Sequence, residues 1–439
     1  MQRSVRATLG HAFRALRRRN YRLLFIGQTI SLTGSWMQQL ALSWLVYRMT
    51  GSALLLGVVA FAGQLPGFVI APIAGVLADR WNRHRIVVAT QALMMAQAAA
   101  VAVLVLGGWV EVWHLVALAT VLGVLTGLDI PARQALFLDL VEGDREDLAN
   151  AIALNASLFN ATRLIGPSLG GFLIARLGEG PVFAINAASY IGVVVSLLAM
   201  RLHPVGTAPA DGSVLGRLRE GFGYAFGFQP VRSLLLLIAA ISLVGMPYVV
   251  LLPVFAEEIL GGGARTLGFL MSAAGLGALG GALYLAGRSS VRGLSRVIVV
   301  AGIVFGGGLI GFSFSRTLPL SMALLVVAGA GMMILSASAN TVLQTVVAPE
   351  MRGRLMSLYT MAFMGMGTFG SLLGGWIGSR LGVSTAVALG GVGCLGAAAW
   401  FETRRPALRA LIRPIYRELG IIPEVATGIL TASELRTKG

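Results

Sequence analysis

Twelve long apolar stretches, almost free of charge, succeed one another along this chain and leave it very few ways to fold. They are Leu23–Tyr47, Leu54–Ala78, Ile86–Val110, Val112–Leu128, Leu148–Ala175 (interrupted by Arg163), Pro181–Met200, Ser233–Ala256, Thr266–Gly287, Val297–Ser315, Thr317–Pro349, Leu355–Ser379 and Leu381–Phe401. Most reach the roughly 20 residues that a helix needs to cross the hydrocarbon of a bilayer. Lipid offers backbone groups no hydrogen-bond partner, so runs of this length must pair their own N–H and C=O groups as helices. Composition agrees: 56% of residues are hydrophobic and 12% charged, against about 25% charged in a typical soluble domain. The expected fold is an all-α membrane protein with twelve transmembrane helices.

The net charge of +16 could suggest a nucleic-acid partner, but its placement argues otherwise. Of the 34 Lys and Arg residues, 28 fall at the two ends and in alternate connections, the side expected to be cytoplasmic. Five (Arg48, Arg176, Arg265, Arg316 and Arg380) fall on the other side, and Arg163 lies within a run. Such an asymmetry places both termini in the cytoplasm of a cell membrane, and anionic headgroups account for the positive charge without nucleic acid. The basic N-terminal residues precede a full-length span with no small-residue cleavage pattern, so helix 1 is expected to stay as a signal anchor.

Catalysis finds little support. His11, His84, His114 and His203 form no metal-binding pair, and Cys394 is the single cysteine. A phosphate-cradling Walker loop needs a lysine, and the only one is Lys438, beside the C-terminus. No metal, cofactor or nucleotide site is expected.

The longest polar interruption, residues 204–232, divides the runs six and six. The expected units are 1–203, with a surface segment and helices 1–6; a linker, 204–232, with a possible amphipathic helix from Val214 to Phe226; 233–402, with helices 7–12; and a tail, 403–439, broken at Pro406 and Pro414. The halves repeat. A shift of 204 residues lays Gly166, Gly170, Gly171, Arg176 and Gly178 on Gly370, Gly374, Gly375, Arg380 and Gly382. Helices 5 and 11 are therefore expected to be one element used twice, in two pseudo-symmetric six-helix halves.

Polar residues inside spans mark where function sits, because polar groups facing lipid are costly. Helix 1 carries Gln28, Ser35, Gln38 and Gln39 around Trp36, and so should face protein or a water-filled cavity. Helix 4 ends in a cluster with Asp129 and Arg133. Helix 5 holds Arg163, with Asn160 and Pro167 on its face. Counting from the ends of the runs puts Arg163 roughly 21 Å and Asp129 about 5 Å from the inner surface, too far apart for a direct ion pair. The helix-1 glutamines are the expected acceptors for Arg163, unless the substrate is.

Between helices 2 and 3 lies GVLADRWNRHR, with Gly75, Asp79, Arg80 and Arg83. Any cytoplasmic loop attracts Arg, but that does not explain Asp79. This Gly-x-x-x-Asp-Arg-x-x-Arg core resembles the signature loop of the major facilitator superfamily. Asn82 stands where that family usually has Gly, which suggests a left-handed backbone there. The resemblance runs from about Asn20 to Phe401. It looks like the enterobactin-exporter branch in WLVYRMTGSALLLG, GLDIPARQALFLDLV and PEMRGRLMSLYTMAF, and Gly166-Pro167-x-x-Gly170-Gly171 resembles the helix-5 element of antiporters.

The resemblance implies that Asp79 faces the start of helix 11 as an inner gate, while an acid on helix 4, for which Asp129 is the local candidate, pairs with Arg83. It also implies a central cavity lined by helices 1, 4, 7 and 10. Members of the branch often carry an acid where this chain has Ser35, so proton coupling stays open, with Asp129, Glu257 and Glu258 as candidates. The expected function is secondary active export of a small, amphipathic molecule by a monomer in the lipid bilayer, with or without proton antiport. A nutrient facilitator or importer, or a transporter-like sensor that moves nothing, is the alternative.

Overall fold

The computed structural model describes residues 14–141, 145–201, 214–288 and 290–421, without the side chains at 71–73, 75–80, 141, 145–146, 214–215 and 217–218. Of the expected surface segment, residues 1–22, the first 13 lie outside them, as does the end of the tail from 422. The first half holds α1 (Arg19–Thr50), α2 (Ala53–Arg80), α3 (Arg83–Leu106), α4 (Val112–Val141), α5 (Arg145–Leu177) and α6 (Glu179–Leu198). A linker helix, Val214–Gly227, leads to the second half. There follow α7 (Gln229–Ile259), α8 (Gly263–Ala286), α9 (Leu294–Phe314), α10 (Leu318–Val346), α11 (349–381) and α12 (Val383–Glu418). The fold is all-α, in two six-helix halves, and an even number of crossings brings both ends of the described chain to one face, here the terminal face.

Nine of these helices are apolar and long enough to cross a membrane. The others, α1, α5 and α11, carry more polar residues, and α5 and α11 pack across the middle of the molecule against α8 and α2. Small residues let them approach. A Cβ added to Gly171 on α5 would lie 2.6 Å from the Ala264 carbonyl oxygen and 3.1 Å from the Gly268 Cα of α8. On α11, a Cβ at Gly375 would lie 2.7 Å from the Ala53 carbonyl and 3.0 Å from the Gly57 Cα of α2. The repeat seen in the sequence is thus a repeat of contacts. Gly178 and Gly382, with φ of 81° and 84°, turn the chain into the next helix in both halves; left-handed backbone there favours residues without a Cβ.

The apolar core records how the halves sit. Its larger cluster unites the far-face part of the first half, including Leu40, Leu45 and Phe183, with the whole second half. The terminal-face part of the first half forms a separate cluster around Tyr21, Leu24, Val87 and Leu136. The halves are joined at the far face, and on the terminal face the first half packs on itself.

Three expectations are corrected. Asn82 is not left-handed: with φ −66° and ψ 107° it is the N-cap of α3, its side chain accepting from the Arg85 N–H at 3.1 Å, a use for which Asn is strongly preferred. Helix 4 does not end in the cluster with Asp129 and Arg133 but continues to Val141, with Pro131 inside α4. The tail is not broken at Pro406 and Pro414: α12 passes both, with Leu408, Ile412 and Tyr416 buried at helical spacing along one stripe.

Candidate functional site

Two consequences of the long α4 reorganise the expected gate. Asp129 lies about 18 Å from the terminal-face end of the helix and about 26 Å from its far end at ~1.5 Å per residue, so α4 runs on past it toward the loop. Its neighbours are Thr90 Oγ1 at 2.8 Å and Gln91 Nε2 at 2.9 Å, both donating from α3, and the Arg133 guanidinium at 3.1 Å one turn on. Asp129 therefore does not pair with Arg83. That partner is Asp139, which accepts from Arg83 at 2.8 and 3.0 Å. Sequence reading missed Asp139, yet three turns beyond Asp129 is where a continuing helix reaches the loop. Gly75, Asp79 and Arg80 lie in the helical end of α2, and the side chains of this stretch are outside the description.

The polar face of α1 goes into its own half. Gln38 donates to Gln97 Oε1 on α3 at 3.2 Å and accepts from Asn186 Nδ2 on α6 at 2.6 Å. Ser35 meets the Tyr190 hydroxyl at 3.3 Å. Gly34 makes room for this network, since a Cβ there would collide with the Asn186 and Ser189 side chains. Gln28 is buried and Gln39 exposed, and neither bonds Arg163. Asn160 turns back to the Ala156 carbonyl of its own helix at 2.9 Å.

Arg163 stands about 21 Å from the far end of α5, near mid-membrane. Its guanidinium lies over the Trp36 ring, 6.0 Å from the centroid, and Phe159 meets the same ring edge-on at 5.8 Å. Among the described residues it has no hydrogen-bond or ion-pair partner. The fully buried Tyr248 of α7 lies within electrostatic reach of it. The Trp36 indole N–H is shut away from solvent and also lacks an acceptor. An unpaired Arg at this depth costs at least ~2.5 kcal/mol on insertion scales, and cation–π contact returns only ~0.5–2 kcal/mol.

The backbone explains why Arg163 is held there. Pro167 has no N–H, so the Arg163 carbonyl one turn back loses its helical donor; that carbonyl faces the bare backbone of Gly275 on α8. Ser272 donates to the Leu164 carbonyl at 2.6 Å and accepts from Ser168 at 2.6 Å. Gly166 seats Trp36, and Gly170 seats Met37. From Arg163 outward α5 is sealed against α1 and α8. Toward the terminal face, exposed Asn155 and Ser157 on α5 and Thr341 and Gln344 on α10 mark a wet cleft, since such groups avoid lipid. Arg163, half-buried, lies on α5 about two turns beyond Ser157, where this polar stretch meets the sealed part of the helix.

At the far end, the Tyr47 hydroxyl donates to Glu258 across the halves, and Arg48 pairs with Glu179 at 2.7 Å. On the terminal face, Asp147 holds Arg14 at 2.8 Å and Arg18 at 2.7 Å, and Arg354 of α11 reaches Glu220 of the linker helix at 2.6 Å.

Two six-helix halves closed at one face, with a polar cleft entering from the other, define a membrane transporter of the major facilitator fold. Among solved structures the fold is similar to the nucleoside transporter NupG, with a TM-score of 0.68 at 16% identity over 88% of this chain and 98% of that one. It is also similar to a bacterial homolog of the human lysosomal transporter Spinster, with a TM-score of 0.66 at 16% identity over 93% of this chain and 99% of that one. The model of the transmembrane secretion effector family matches residues 10–412, and the chain belongs to that family. Its curated relatives include a staphyloferrin A transporter of Staphylococcus aureus, 24% identical over 88% of this chain and 96% of that protein. The multidrug efflux pump Tap of Mycolicibacterium fortuitum is 27% identical over 82% and 89%, and macrolide efflux protein A of Streptococcus pyogenes is 24% identical over 82% and 90%. The chain is a transporter and not an enzyme.

Proposed function

We propose that this protein is a secondary active exporter of a small amphipathic molecule, working as a monomer in the cell membrane by alternating access. The observation that carries the reading is the division of α5 at Arg163: sealed to α8 on one side, bordering a polar cleft on the other. In this reading the terminal face, with its excess of Arg, is cytoplasmic, so the cleft opens inward and loads substrate from the cell. Residues 1–203 and 233–402 rock as the two halves, 204–232 tether them, and 403–439 form a cytoplasmic tail.

Asp79, Arg80, Arg83 and Asp139 act as the latch of the cytoplasmic side. Asp129, a buried carboxylate set between Thr90, Gln91 and Arg133, is the site of proton exchange. Support for export comes from the family and from relatives whose names denote efflux.

The test is uptake into everted, sealed vesicles holding the protein, where export appears as accumulation. Energised accumulation that Asp129→Asn abolishes, while substrate counterflow persists, is the expected result. Accumulation in right-side-out vesicles instead would make the protein an importer, and movement in neither would leave a sensor. On a Cys394→Ser background, Ser290→Cys should resist an impermeant thiol reagent applied to intact cells.

A further inference from the structure

The mid-membrane apex presents donors without acceptors. The Arg163 guanidinium has no hydrogen-bond or ion-pair partner among the described residues, and the indole N–H of Trp36, the ring it stands over, is buried and unpaired. None of the polar groups expected beside Arg163 bonds it, and the two strongest acceptors are engaged elsewhere. The Gln38 oxygen accepts from Asn186, Asp129 takes Thr90, Gln91 and Arg133 on the α3 side of its own half, and Asn160 donates its amide N–H to its own helix without meeting Arg163. The position equivalent to Arg163 in the other half, 204 residues on, is Gly367, so the charge is not a structural requirement of the repeat.

A lone cation over an aromatic floor, with a second ring edge-on at 5.8 Å, has the features of a receptor for an anion attached to a flat apolar body. Guanidinium prefers planar oxyanions, which it binds in a fork, while Trp36 and Phe159 offer apolar and ring-edge contact. A cationic ligand would find like charge at the apex and, among the described residues, no carboxylate paired with Arg163 to offset it.

We propose that Arg163 and Trp36 form the anion subsite of the transported molecule, and that the substrate is an amphipathic organic anion, a carboxylate, sulfonate or phenolate joined to an aromatic body. This rests on the transport reading above and names its substrate class. Arg163 binds the charge in the inward-opening state and stays at the apex when the halves exchange sides.

The test uses three probes with one fluorophore and different charge: dansylglycine (anionic), dansylamide (neutral) and dansylcadaverine (cationic). In everted vesicles, dansylglycine should accumulate in preference to the others. Arg163→Gln should lower its accumulation by roughly 10-fold or more, as expected for loss of a charge-assisted contact, Arg163→Lys should recover part, and Arg163→Glu should shift preference toward dansylcadaverine. Should Arg163→Gln fail to reach the membrane, Trp36→Phe keeps the ring and removes the indole N–H. Weaker dansylglycine binding to that purified variant, with dansylamide unchanged, supports the assignment. Equal handling of the three probes, preference for the cation by the unaltered protein, or selectivity untouched by both substitutions overturns the anion assignment while leaving transport standing. Movement of none of the probes, with no dansylglycine binding by fluorescence titration, sinks both readings.

Discussion

Helices α5 and α11 are the same element placed on opposite sides of the molecule, and they differ where it matters. Both carry three glycines at matching positions. In each, the last of these, Gly171 or Gly375, meets a glycine of the opposite half, Gly268 or Gly57. Inward of the glycines the copies part. The α5 segment 155–163 presents Asn155, Ser157, Asn160 and Arg163, whereas the equivalent positions of α11 are Tyr359, Met361, Met364 and Gly367. In α11 this segment includes a widened π-helical turn, Met361–Gly365, packed against Phe68 of α2. Duplication kept the seal, and divergence made one wall polar and charged and the other soft and apolar. A cavity with unlike walls suits an amphipathic cargo.

The largest effect should come from the shared feature. Gly171→Leu and Gly375→Leu each force a side chain into the opposing backbone, and overpacking of ~1–3 kcal/mol should lower transport by roughly 10- to 100-fold. Spin-label distances across the far face should lengthen in both. Full activity in one variant alone would show that the two seams are not equivalent.

Next comes the feature the copies do not share. Arg163→Ala should reach the membrane but lose transport by about 10-fold or more. Adding Gly367→Arg should not restore it, because position 367 lies 4.0 Å from Met246 and not against Trp36. Recovery in the double variant would mean that charge at that depth is enough, whichever wall bears it.

A smaller effect should follow from Tyr47→Phe, which deletes the hydrogen bond to Glu258 across the far face. Its loss, worth ~0.5–1.5 kcal/mol, should shift the balance of states by roughly 2- to 10-fold toward far-face opening, again read by spin-label distances. An unchanged distribution would assign the seal to the glycines alone.

The least effect separates the two signature-loop copies. Asp139→Asn breaks the Arg83 pair in the first loop, at a cost of up to about 1 kcal/mol and a slightly lower unfolding temperature. Arg292→Ala in the second loop removes a contact to the Ile421 carbonyl and should leave that temperature within error. Equal destabilisation would make both loops structural clasps of one kind.

The architecture was legible because lipid leaves helices no alternative to internal pairing, and the helix 5 and 11 glycines were legible because close packing needs residues without side chains. What the sequence hid was continuity. Pro406 and Pro414 read as stops, but tertiary packing carries α12 through them, and the continuation of α4 to Val141 puts Asp139 at Arg83. The helix-1 glutamines read as partners for Arg163. Only the rotation of α1, which turns Gln38 toward Asn186 and Trp36 toward α5, could show that the arginine keeps the aromatic ring and not the amides.

The lone guanidinium at the apex also bears on the tightness of the membrane to small ions. A wet cleft reaching mid-membrane is half of a leak. A sodium ion or hydronium brought within ~6 Å of Arg163 meets a repulsion of about 3 kcal/mol at an effective dielectric constant near 20. That makes its presence there roughly a hundredfold rarer. The charge that recruits cargo therefore also insulates, so that rocking with an empty cleft does not short-circuit the gradients on the two sides.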